Sequence, residues 1–173
     1  MPAMGNDVAP FILFPDDRFH AAAAPVAVDA ALLQIGTDLL DAARAAQAYG
    51  LAAVHIGMLA PVAVVSIVPP PGREYRVLFN PRVIETGGDP VPGKEGSVSM
   101  PGIEVEITRP SFARIGFEDE TSATVELELT GFPARVAQHE IDQVNGIFFL
   151  NRLSRLRREA AIKRYAKLTR RMG

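Results

Sequence analysis

Between Leu51 and Thr130 the chain alternates short apolar runs with turn-forming residues, and two of these runs, IEVEIT and ATVELELT, exchange polar and apolar side chains one by one. A period of two marks a strand with one wet face, so Glu104, Glu106, Glu126 and Glu128 are expected to point to solvent. LAAVHI, PVAVVSIV, EYRVLF and FARIGFE are rich in β-branched or other large apolar residues and predict further strands. No helix-length segment separates these runs, so antiparallel pairing is predicted. The joints PPPG, ETGGDPVPG and EDETS predict turns or surface loops. Upstream the period lengthens to about 3.6 residues: Leu32, Leu33, Leu39, Leu40 and Ala43 follow a capping Asp29 and precede Gly50, with Gly36 a weak point inside. Before that helix, Pro10, Pro15 and Pro25 predict an irregular lead. A second helix is predicted from Phe132 or Pro133 through QHEIDQV to a stop at Asn145-Gly146, and a third from Ser154, carrying Leu156, Ile162, Tyr165 and Met172 among charges. Helix, sheet, helix, helix reads as an α+β fold, expected as one domain over residues 1–173.

Composition adds limits to that picture. A chain of 173 residues with 48% hydrophobic side chains can bury one substantial core. It has no apolar run of membrane-spanning length, and its opening MPAMGNDVAP lacks the pattern of a signal peptide, so a cytoplasmic location without a membrane partner is expected. The absence of cysteine excludes disulfides and any thiolate nucleophile or ligand. The net charge of −2 conceals a split: residues 152–173 hold nine of the eighteen Lys and Arg and one of the twenty Asp and Glu. A tail of that kind offers a contact surface for RNA, ribosome or lipid headgroups, or is simply a solvated helix face. No motif for specific DNA recognition accompanies it.

The densest chemistry lies in QHEIDQVNG, residues 138–146. Positions i and i+4 share a helix face, so His139 and Gln143 are expected to project together with Glu140 beside them, while Ile141 and Val144 face the core. This resembles H-E-x-x-H, in which two imidazoles hold a metal and the glutamate moves protons, with the second imidazole missing. Two glycine-containing stretches stand beside it: YGLAAVHIG at 49–57, open to close approach by a ligand, and EGSVSMPG at 95–102, whose amides suit an anion or oxyanion.

In this order the three stretches resemble the peptide deformylase family, whose motifs are G-x-G-L-A-A-x-Q, E-G-C-L-S and H-E-x-D-H. FPD at 14–16, PV at 25–26, LFNP at 78–81, GFPARVAQHEID from 131 and NGIFFLNRLS at 145–154 extend the likeness over roughly residues 11–155. The resemblance implies a peptide-deformylase-like fold, antiparallel sheets around a central HExxQ helix, with an N-terminal helix and a basic C-terminal helical tail from about residue 155. It implies a divalent metal, Fe, Zn or Ni, whose bound water attacks the formyl carbon of an N-terminal formyl-methionine. By the same resemblance His139 is a metal ligand, Glu140 the proton shuttle and the N–H of Val98 an oxyanion donor, while Tyr49, Gly50, Gly96, Phe132 and Val136 line the substrate pocket. Glu95 and Arg109 fall where the family has a buried ion pair. Peptide N-termini or nascent chains are the implied partners, with the ribosome as a further partner of the basic tail.

Four positions depart from the pattern, three of them in side-chain roles. The cysteine ligand falls on Ser97, the second histidine on Gln143 and the oxyanion glutamine on His55, and Ala48 replaces the first glycine of G-x-G. A hydroxyl and an amide oxygen are hard, weak donors compared with a thiolate and an imidazole, so high-affinity metal is not expected and ordinary deformylase chemistry is expected to be impaired or altered. Other readings remain open: a non-catalytic binder of peptide ends, and an active site rewired so that His55 joins His139 on the metal. His55 itself reads as a ligand, as a hydrogen-bond donor or base, or as a strand residue bonded to the backbone. His20 reads as a surface residue.

Overall fold

The computed structural model describes residues 10–172; Met1–Ala9, on which the expectation about a signal peptide rests, and Gly173 lie outside it. Three helices and one antiparallel sheet follow in the order α1 (Ala30–Ala46), β1 (Gly50–Ala52), β2 (Val62–Ser66), β3 (Tyr75–Gly96), β4 (Glu104–Glu118), β5 (Thr124–Thr130), α2 (Gly131–Val144) and α3 (Arg155–Met172). The strands lie side by side in chain order, each antiparallel to the next. This is the expected α+β class, with a single five-stranded sheet. No helix among the described residues is long and apolar enough to cross a membrane.

Local chemistry accounts for most boundaries. Asp29 caps α1 by accepting a hydrogen bond from the Leu32 N–H at 2.8 Å. The helix ends with Gln47 in the left-handed region, three residues before the expected Gly50. Gly146 has a φ of 80°, and a Cβ there would lie 2.9–3.0 Å from the backbone of residues 20–22. Only glycine therefore lets the chain leave α2 and pass this close to the N-terminal segment.

The sheet is covered on both faces. In β2, Val62 and Val64 pack toward α1 with Leu39, Ala42 and Leu51, while Val65 packs with Ala134, Ala137 and Ile141 of α2. Every residue of β2 is buried, as expected of a strand with apolar layers on both sides. A third cluster brings Phe19, Met100, Val144, Phe148 and Phe149 together with Ala161 and Tyr165 of α3. That cluster joins the N-terminal segment, the turn after β3 and the end of α2.

Two expectations need correction. ETGGDPVPG is not a loop: it continues β3 as far as Gly96 and pairs with β4 from Gly87↔Phe112 through Pro92↔Thr108. β2 pairs only with Tyr75–Phe79, so this half of β3 has one free edge, where a proline costs no ladder bond, and register shifts absorb the rest. LAAVHI is not one strand either; β1 stops at Ala52 and Ala53–Ile56 form a 3-10 turn closed by Gly57 at φ 84°. The exposed alternation expected of Glu104, Glu106, Glu126 and Glu128 is present, and His20 is exposed.

Candidate functional site

One face of α2, the edge of β1 and the turn after β3 enclose a cavity of about 450 Å³. α2 brings Phe132, Arg135, Val136, His139 and Glu140 to it, spaced so that they fall on one side of the helix. β1 and its approach bring Ala48, Tyr49, Gly50 and, after the turn, His55. The end of β3 brings Glu95, Gly96, Ser97 and Val98. The three stretches singled out in the sequence therefore meet, and Tyr49, Gly50, Gly96, Phe132 and Val136 all stand in the wall. Tyr49 and Phe132 pack edge to face, with ring centres 5.1 Å apart. A Cβ on Gly50 would lie 2.7 Å from Val136 and 2.8 Å from Glu140, so glycine is what allows α2 to approach this strand.

Gln143 does not join them. It is buried, but its amide nitrogen donates to the Phe19 carbonyl at 2.8 Å and its side chain is not part of the cavity wall. The expectation that His139 and Gln143 share one cavity fails because the N-terminal segment, 124 residues away in sequence, supplies an acceptor for the amide.

His139 is held at Nδ1 by the Glu95 carboxylate, 2.8 Å away. Glu95 in turn accepts from Arg109 at 2.6 and 2.9 Å and from Arg135 at 2.7 Å. Arg109 also donates to Asp142 at 2.9 Å, and Asp142 accepts from Arg152. Burial pushes the Glu95 carboxyl upward, but the hydrogen bonds from His139 and Arg109 outweigh it and bring the pKa to about 2. Burial pushes the His139 imidazole down, while the Glu140 and Glu95 carboxylates outweigh that and raise it. The sequence places Asp142 in the QHEIDQVNG cluster, whereas Arg135 lies outside the stretches singled out. Arg135 was legible, since it stands four residues before His139 on the same helix face; the partners of Asp142 were not.

His55 sits in the 3-10 turn, not in a strand, and its Nδ1 accepts the Ala52 N–H at 2.9 Å. A neutral ring accepting at Nδ1 carries its proton on Nε2, and that atom is buried without a protein partner. Burial holds the imidazole down to about 3. Its Nδ1 lies 3.9 Å from Glu140 Oε1, a buried oxygen that likewise has no protein partner. Burial, assisted by the Glu95 charge, pushes Glu140 up to about 7.

The raised Glu140 carries a stability prediction. Its folded pKa exceeds the ordinary 4.5, so its contribution is full below about 4.5 and is lost as pH rises through about 7. The thermal unfolding midpoint is expected to fall across that window, and Glu140→Gln to flatten the fall. Midpoints measured against pH that rise or stay level in the native chain would count against a protonated buried carboxyl.

As to a metal, no group of three or more His, Cys, Asp or Glu side chains among the described residues is arranged to hold one. Of the family's ligand positions, His139 lines the cavity with an imidazole and Ser97 with a hydroxyl, and Gln143 is held by Phe19. The residues present do not match the soft, anionic set that grips such an ion.

A helix bearing adjacent His and Glu, packed on an antiparallel sheet beside a cavity walled by a strand edge, is the arrangement that the deformylase resemblance implies. Comparison with known proteins agrees: the family model described as "Polypeptide deformylase" matches residues 8–159. A "Peptide deformylase-like" protein of Rhizobium meliloti is 41% identical over 164 residues, covering 94% of each chain. A "Peptide deformylase" of Mesorhizobium japonicum is 32% identical, with 93% of each chain covered. The crystal structure of peptide deformylase from Ehrlichia chaffeensis superposes with a TM-score of 0.86 at 28% identity, covering 94% of this chain and 97% of that one. The chain belongs to the polypeptide deformylase family.

Proposed function

We propose that the cavity receives the N-terminal end of a short peptide, and that the metal-dependent removal of N-formyl groups typical of the family is impaired here. The observation that carries this reading is the Gln143 amide, bonded to the Phe19 carbonyl where the family has a ligand imidazole. Ser97 adds to it, because a neutral hydroxyl neither balances the charge of a divalent ion nor binds it as a thiolate does. The rewired alternative, with His55 joining His139, meets a tautomer conflict: a metal on Nε2 would leave the proton on Nδ1, facing the Ala52 N–H. The apolar wall of Tyr49, Phe132 and Val136 suits a methionine-like side chain. Glu140, Val98 and His55 line the same cavity, and in this reading they would surround the peptide's terminal group.

The test is metal analysis of anaerobically purified protein, with formyl-methionyl peptide binding and turnover measured on the same sample. Substoichiometric metal, measurable peptide binding and turnover unaffected by chelator are expected. Stoichiometric iron, zinc or nickel with chelator-sensitive turnover would overturn the reading.

A ribosomal contact through α3 is the second proposal, favoured by the exposure of Lys163, Lys167, Arg170 and Arg171 on a helix anchored by buried Ala161 and Tyr165. Changing the four cations to Gln, which spares the anchors, is expected to weaken co-sedimentation with ribosomes at low salt and to flatten its salt dependence. Unchanged co-sedimentation would remove the idea.

A further inference from the structure

We propose that Ser97 is a nucleophile activated by His139, making the cavity a metal-independent acyl-transfer site for short N-acyl amides or esters. The proposal rests on the reading above, that no metal bridges Ser97 and His139. Four groups around the cavity carry it. Glu95 accepts from His139 Nδ1 at 2.8 Å, which places a proton on Nδ1 and, in the neutral ring, leaves Nε2 as a lone pair. Two guanidinium groups hold Glu95 itself, through contacts of 2.6–2.9 Å, so the imidazole is oriented by a fixed carboxylate. Ser97 stands two residues beyond Glu95 where β3 ends, and it lines the same cavity as the ring. Its Oγ accepts the Ser99 N–H at 3.1 Å, which ties down one lone pair and leaves the hydroxyl proton to be given away.

The fourth group is His55. Its Nε2–H, only 2% of the residue being exposed, has no acceptor in the protein and borders the same cavity. A buried donor without a partner is costly unless something else accepts from it. An acyl oxygen acquiring negative charge is such an acceptor. Nucleophile, base, orienting carboxylate and oxyanion donor then line one cavity, and these are the groups that nucleophilic acyl transfer requires whatever the fold.

The reaction balances without any added reagent. Ser97 Oγ bonds to the acyl carbon, the Oγ proton passes to His139 Nε2, and the carbonyl oxygen takes the negative charge beside His55. Collapse breaks the bond to the amine or alcohol, which leaves with the proton from His139. Water, deprotonated by the same nitrogen, then hydrolyses the Ser97 ester and restores the hydroxyl.

An alkyl fluorophosphonate is the probe, applied to full-length protein in chelator and followed by intact mass and peptide mapping. Ser97 Oγ attacks its phosphorus, forming a P–O bond as fluoride leaves and the hydroxyl proton passes to His139. One adduct on Ser97 is expected, absent in Ser97→Ala, with the bond-forming rate constant lowered about a hundredfold in His139→Gln and in His55→Leu while probe affinity holds. His55→Gln keeps an N–H donor and is expected to retain most of the rate. Matching denaturation midpoints identify the variants that still fold, and His55→Gln provides a folded comparison if His55→Leu does not. Labelling of Ser97 at the same rate in His139→Gln would overturn the proposal. So would the absence of an adduct on a protein that binds formyl-methionyl peptide without metal, an outcome that leaves the binding reading standing. Native protein that carries stoichiometric metal, and labels at Ser97 only once the metal is stripped, would overturn this proposal together with the reading on which it rests.

Discussion

Ser97→Cys combined with Gln143→His is expected to raise affinity for zinc or ferrous iron by at least about a thousandfold and to bring chelator-sensitive turnover of formyl-methionyl peptides with it. Structural zinc sites bind with roughly 10–16 kcal/mol. Two good ligands gained in place of two poor ones add about 4 kcal/mol, which is about a thousandfold. The surroundings are already suited to them. His139 is oriented by Glu95 in the manner of a ligand imidazole whose other nitrogen is bonded to a carboxylate. The Phe19 carbonyl that now holds the Gln143 amide can hold an imidazole N–H at position 143 in the same way. Glu140, raised to about 7, stands where a proton shuttle is needed. Metal analysis and peptide kinetics on the double variant check this. Metal content that stays substoichiometric would show that ligand identity is not what separates this chain from metal-binding relatives.

Arg109→Met is expected to cost about 3 kcal/mol or more of folding stability. Removing one partner of a buried ion pair strands the other charge, typically at 3–5 kcal/mol. The Arg109 side chain is 5% exposed and contacts both Glu95 and Asp142. Arg135 and His139 still hold Glu95, and Arg152 still holds Asp142, which places the expected loss at the lower end of that range. Urea unfolding at neutral pH measures it. A loss below about 1 kcal/mol would mean that the remaining cations neutralise both carboxylates unaided. The consequence for the site is expected to exceed the consequence for the fold. Glu95 fixes His139 and lies two residues from Ser97, so a loosened carboxylate misplaces both.

The legible parts of this protein were those whose causes lie close together in the chain. Asp29 caps α1 within three residues, Gly146 turns the chain two residues after α2 ends, and the alternation of IEVEIT and ATVELELT is a property of each strand alone. The spacing of the three glycine- and histidine-bearing stretches was enough to place the chain in its family and to mark Ser97, Gln143 and His55 as departures. ETGGDPVPG was misread because its Gly and Pro residues signal a turn locally, whereas strand pairing with β4, from Gly87↔Phe112 to Gly96↔Glu104, overrides that signal along a free edge. LAAVHI was misread because His55 caps the Ala52 N–H with its own ring and so bends the chain out of the strand.

By itself the sequence determined the element types, the apolar faces and the chemical inventory of the site, because side-chain type and short-range spacing decide these. Only the tertiary structure decided which groups are committed and which are free. Gln143 is taken up by a carbonyl 124 residues away, and His139 by a carboxylate 44 residues away, while His55 and Glu140 are brought into one buried space with atoms left unpaired. A hydrogen bond depends on distance and angle between groups that the fold brings together, and neither is written in the local order of residues.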